Sequence, residues 1–151
     1  MIYPYLLYCN VVWGGASQTA LYRLVCIQKH AARLITNSDY RGPSSPLFKR
    51  VGILKLNNIH KIQIYLFMFK CKYGMLPVSC LQLVSLNEIA NRYDLRRENE
   101  FTVAKFHTEI CKKSISVVGA DSWNSLAESM KSIDSISVFK SRLVNSFIEH
   151  Y

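Results

Sequence analysis

Apolar residues recur at helical spacing along most of this chain. The clearest instance follows Ser17, a residue type that caps helices. At about 100° per residue, Leu21, Leu24, Val25, Gln28, Ala31, Ala32 and Ile35 share one face, with Ile27 and Leu34 beside it. Arg23, Lys29, His30 and Arg33 fall together on the opposite side. This separation predicts an amphipathic helix reaching about Thr36, because the alternation of a strand cannot produce it.

Other elements read in the same way. Tyr3 to Trp13 predicts a short apolar helix stopped by Gly14 and Gly15. Asn37 to Pro46 is a loop rich in turn formers, and Pro46 opens a short turn that ends at Gly52. Asn57 or Asn58 is expected to cap a helix to Tyr73, with Gly74 at its end. Its stripe is Ile59, Ile62, Leu66 and Phe69, but Ile64, Tyr65, Phe67 and Met68 make it apolar nearly all round. Such a helix is either central in a core or waiting for a partner. Pro77 can start a short helix through Val84. From Asn87 to Lys113 the pattern predicts a loop or extended segment, with FTVAKF permitting a short strand. The helical pattern resumes from Ser114 toward Leu126, weakened by Gly119. Ser135 then caps a last helix with Ile136, Phe139, Leu143 and Phe147 on one face. The expectation is an all-α protein, one compact helical domain over residues 1–151, with a loop or extended segment around residues 87–113.

Composition agrees with a folded domain: half of the residues are apolar, 12% are aromatic and only four are proline. No apolar run approaches the ~20 residues that span a bilayer. The opening MIYPYLLYCNVVWGGA lacks a basic n-region and is interrupted by Pro4 and Asn10, so it is not read as a signal peptide. Five scattered cysteines (Cys9, Cys26, Cys71, Cys80, Cys111) predict buried, reduced thiols in an intracellular protein, cytoplasmic or nuclear. The net charge of +9 lies wholly in residues 1–75, which carry ten basic residues and one acid, Asp39; residues 76–151 are balanced. Such asymmetry favours a polyanionic partner, RNA or DNA before an anionic membrane.

Little of the familiar catalytic chemistry is represented. The aspartates are isolated, so no two-metal site is formed from adjacent acids. His107 and Cys111 stand four apart but lack the further ligands that zinc needs. No nucleophile elbow, phosphate-binding loop or dinucleotide fingerprint occurs. The expectation is a chain with no catalytic residue, no metal and no cofactor. What remains is a series of cations interleaved with Tyr22, Tyr40, Phe48, Tyr65 and Tyr73, a combination that can neutralise phosphates and stack on unpaired bases.

Seven strings occur in one order: YPYLLYCNVVWGG (residues 3–15), LVCIQKHAARLIT (24–36), PLFKRVGILKLNNI (46–59), FMFKCKYGMLP (67–77), RYDLRR (92–97), SISVVGADSWNSL (114–126) and VFKSRL (138–143). Together they resemble the region behind the polymerase domain of non-LTR, LINE-type retrotransposon reverse transcriptases, closest to jockey-like elements. Two departures stand out: the family commonly has Gly-Pro before the Trp-Asn, where Gly119–Ser122 stand here, and Thr-Arg at Leu95–Arg96. The resemblance implies a parent RNA-directed DNA polymerase whose catalytic aspartates lie upstream of the matched part, and an upstream polymerase domain as a partner. Arg23, Lys29, Arg33, Arg41, Lys49 and Arg50 are the expected contacts to an RNA or DNA backbone. The alternative is a structural or self-association module whose charge only confers solubility. Membrane attachment through the basic helix is disfavoured, since its apolar face lacks bulky aromatics.

Overall fold

In the computed structural model, which describes residues 3–39, 41–84, 100–103 and 105–151, the fold is all-α, with ten helices and no sheet among those residues. None of the described helices is long and apolar enough to cross a membrane. The chain forms two compact units, Met1–Gln63 with Lys140–Tyr151, and Ile64–Phe139.

The first unit begins with α1 (Tyr3–Leu7) and α2 (Asn10–Trp13), where a single helix was expected. The break is at Cys9, whose φ of 48° is left-handed. Side chains take over the bonds that an unbroken helix would make: Asn10 Nδ2 donates to the Leu6 carbonyl (2.9 Å) and Trp13 Nε1 to the Tyr8 carbonyl (2.7 Å). α3 (Gln18–Thr36) matches its expectation, with Ser17 Oγ accepting the Ala20 N–H at 3.3 Å. Asn37, left-handed at φ 48°, ends it.

The buried stripe of α3 is the centre of the expected face, narrower than the periodicity suggested. Leu21, Gln28 and Ala32 are buried, whereas Leu24, Ile27, Leu34 and Ile35 are exposed. Gln28 anchors this stripe. Its Nε2 donates to the Leu54 carbonyl (2.7 Å) and its Oε1 accepts the Leu56 N–H (2.9 Å). A buried amide with both ends satisfied fixes which face turns inward.

α4 (Ser45–Val51) packs on α3 and buries Phe48, and Gly52 at φ 68° ends it in a conformation that favours glycine. α5 (Leu56–Lys72) starts ahead of the asparagines expected to cap it. Tertiary partners hold its first N–H groups instead: Gln28 takes that of Leu56, and the Tyr151 hydroxyl accepts that of Lys55 at 2.7 Å. Ile59, Ile62, Ile64, Met68, Phe69 and Cys71 of α5 are all buried, so this helix is a core element.

The second unit contains the rest of α5, α6 (Val78–Leu81), α7 (Glu109–Lys112), α8 (Ile115–Asn124), α9 (Glu128–Lys131) and the start of α10 (Ile136–Glu149). Of the expected extended segment, residues 87–99 and 104 lie outside the described residues. Its end is corrected: Glu109–Lys112 is helical, with Thr108 Oγ1 accepting the Cys111 N–H. The core of this unit is aromatic. Phe69 and Phe139 stack at 4.8 Å, Trp123 lies 6.0 Å from Phe139, and Phe101 meets Trp123 edge-on at 5.9 Å. Asn124 clamps Phe101 from both sides, accepting its N–H (2.9 Å) and donating to its carbonyl (2.8 Å). Gly119 is buried inside α8, where a Cβ would lie 2.7 Å from Met68 Sδ, so a larger residue would force Met68 to shift. The buried Lys131 ammonium donates to the Asn124 carbonyl (3.1 Å) and to Glu128 Oε1 (2.8 Å).

Candidate nucleic-acid interface

All six expected contact residues belong to the first unit. Their division of labour differs from the helical wheel. Arg23, Arg41, Lys49 and Arg50 are exposed, while Lys29 and Arg33 are half-buried beside the inward stripe of α3. Lys29 lies about 120° round the helix from Arg23, so the two stand at opposite edges of the polar side. Arg33 has a structural task, its Nη2 donating to the Gly42 carbonyl (3.1 Å) and so tying the 37–44 loop to α3. Lys49 reaches the Glu149 carbonyl at 3.4 Å.

The segregation of charge by halves of the sequence persists, slightly diluted, in the division by unit. The first unit carries ten basic and two acidic residues, the second nine and eight. Asp39, one of the two acids, accepts the Arg41 backbone N–H at 3.4 Å.

A cavity of about 270 Å³ opens among α3, the start of α4 and the start of α5. Its wall includes Lys29, which was expected to contact nucleic acid, and Lys55, Ser44, Ser45 and Asn57, which were not. Lys55 was visible only as one cation among many. Its placement depends on Tyr151, whose ring lies 4.2 Å from the ammonium, and on Ser45, whose Oγ accepts from Nζ at 3.1 Å. No local pattern encodes a partner 96 residues away.

The aromatics divide likewise. Phe48 is 2% exposed and cannot stack on a base, and the half-buried Tyr73 binds the Ile133 carbonyl and Asp134 Oδ1 through its hydroxyl. Tyr65 is half-buried, Tyr22 is exposed, and Tyr40 lies outside the described residues. The cysteines are free, but only Cys71 is buried; Cys9 is exposed in the left-handed break, which corrects the expectation of uniformly buried thiols. Burial, with the neighbouring Cys80 thiol adding, pushes the Cys71 thiol up to about 11. His107 precedes α7, and among the described residues no three His, Cys, Asp or Glu side chains gather.

Compared with protein-family models, curated proteins and solved structures, the chain shows no match.

Proposed function

We propose that this chain is a non-catalytic, nucleic-acid-binding and thumb-supporting C-terminal fragment of a non-LTR, LINE-type retrotransposon reverse transcriptase. The observation that carries the binding role is the cationic first unit, with Arg23, Arg41, Lys49 and Arg50 exposed on it. Cations at such a surface bind a phosphate backbone by releasing counterions, which gives strong salt dependence and little sequence preference. The seven ordered strings support the family part of the reading.

The test is a fluorescence titration of the chain with an RNA hairpin and a DNA duplex at several salt concentrations. Affinity should fall with salt at a log–log slope of about −3 to −5, as for three to five neutralised phosphates. The Arg41→Ala/Lys49→Ala/Arg50→Ala variant should lose about two to three units of that slope. Absence of binding even at low salt would falsify the proposal.

One observation favours a second reading. Leu24, Ile27, Leu34 and Ile35 form an exposed apolar flank along α3, which suits a bracing or self-association module. Stable dimers in sedimentation equilibrium, abolished by Ile27→Asp and without nucleic-acid affinity, would favour it over the first.

A further inference from the structure

We infer that the cavity walled by Lys29, Lys55, Ser44, Ser45 and Asn57 seats a phosphoryl group of a nucleic-acid strand. The residues that line the cavity include two lysines, two serines and two amides, Gln28 and Asn57, and no carboxylate. Surface lysines ordinarily splay into water, where solvent screens them. Here two lysines line one recess, so an anion entering it is attracted by both. A buried phenylalanine, Phe48, lines the same recess and lowers the local polarity, which strengthens that attraction.

Lys55 is held in place. Its ammonium donates to Ser45 Oγ at 3.1 Å and sits 4.2 Å over the Tyr151 ring, while its backbone N–H is bound to the Tyr151 hydroxyl at 2.7 Å. Less side-chain freedom is therefore lost when an anion binds. Accepting from Lys55 leaves the Ser45 O–H proton to be donated elsewhere, and a phosphate oxygen is the natural acceptor. One competing acceptor on the wall, the Gln28 side-chain oxygen, is already taken by the Leu56 N–H at 2.9 Å. Donors therefore dominate this recess. The first turn of the 17-residue α5, where Asn57 lies, adds its favourable dipole to a site that the lysines define.

Size narrows the ligand class. About 270 Å³ is just below the ~300–1,000 Å³ of drug-sized sites, and accommodates a phosphate with its sugar and some water. The strand as the source of that phosphate rests on the nucleic-acid reading above; the phosphate chemistry of the recess does not.

The experiment uses the ¹⁵N-labelled full chain in two arms. In the first, inorganic phosphate is titrated at constant ionic strength, and the amide signals of Ser45 and Asn57 should shift saturably at millimolar concentration. In the second, a fluorescent single-stranded RNA is bound by wild type, Lys29→Gln, Lys55→Gln and Lys61→Gln, the last an exposed lysine of the same helix. Lys29→Gln and Lys55→Gln should each weaken binding about 3- to 10-fold and reduce the salt slope by about one, the loss of one phosphate contact. Lys61→Gln should change it less. Lys29→Gln leaves the Ser45 and Tyr151 contacts of Lys55 intact, so its effect does not depend on how well Lys55→Gln folds. RNA binding that falls equally in all three variants, with no phosphate-induced shift at Ser45 or Asn57, overturns the seat and leaves the nucleic-acid reading standing. Saturable phosphate shifts in a chain that binds no RNA keep the seat, as a site for a small phosphate ester, and overturn the nucleic-acid reading.

Discussion

His60 shows how much a single side chain is constrained here. Its Nδ1 lies 3.2 Å from the Asn10 carbonyl and 3.1 Å from Asn10 Oδ1, both acceptors, since Asn10 Nδ2 is donated to Leu6. Nδ1 therefore carries the proton in the neutral ring. Gly14 is required beside it, because a Cβ there would collide with the His60 ring and lie 2.6 Å from the Asn10 carbonyl oxygen. Burial holds the pKa of His60 below its ordinary 6.5, outweighing the opposing bond to Asn10. The sign follows from linkage: below pH 6.5 the unfolded chain takes up the proton more readily than the folded one. Its contribution is therefore complete above that pH and is lost progressively as pH falls toward the lower folded value. Urea midpoints taken from about pH 7.5 down to about pH 5 should decline for the wild type and flatten for His60→Gln. Equal declines in both would assign the effect to other groups.

At the scale of elements, side chains from distant segments decide where helices begin and which way they face. Gln28 pins the buried face of α3 and satisfies the first turn of α5. Replacing it with leucine adds apolar area but strands the Leu54 carbonyl and the Leu56 N–H. The expected cost is about 2–4 kcal/mol, since each unsatisfied buried group costs ~1–3 kcal/mol. Chemical denaturation at neutral pH measures it; a Gln28→Leu variant as stable as wild type would show that α3 is oriented by packing alone. The aromatic clamp in the second unit is the counterpart. Trp123 is buried by its neighbours, and Asn124 fastens an otherwise irregular stretch at Phe101.

Across the whole molecule, the first unit is closed by residues far apart in the chain. The Tyr151 hydroxyl accepts the Lys55 N–H and also the Asn58 Nδ2 at 3.0 Å, and its ring meets Phe48 edge-on at 6.5 Å. Tyr151→Phe should cost about 1 kcal/mol through the lost bonds. Tyr151→Ala should cost about 2–4 kcal/mol by removing the ring as well. Hydrogen exchange at Ile59 and Ile62 reads this out, and unchanged protection in Tyr151→Ala would show that the contact contributes nothing to the first unit. The same unit holds nearly all the excess positive charge, so its integrity and the proposed binding are coupled: Tyr151→Ala should also weaken any dependence of RNA affinity on Lys55.

Local periodicity and turn chemistry were enough to read the all-α class, α3 with its Ser17 cap, the glycine stops at Gly52 and Gly74, and the last helix. These depend on neighbours within a few residues, which a linear pattern records. The lopsided charge was equally legible, because it is a matter of composition. Tertiary structure decided what contacts across tens of residues control: the bonding of Gln28 at the centre of the buried face of α3, the start of α5, the structural role of Arg33, and the meeting of Lys29 with Lys55 around one cavity. A wheel weighs residues by hydrophobicity and places Gln28 wherever its neighbours go; only the carbonyl and N–H that it meets reveal that the polar residue leads.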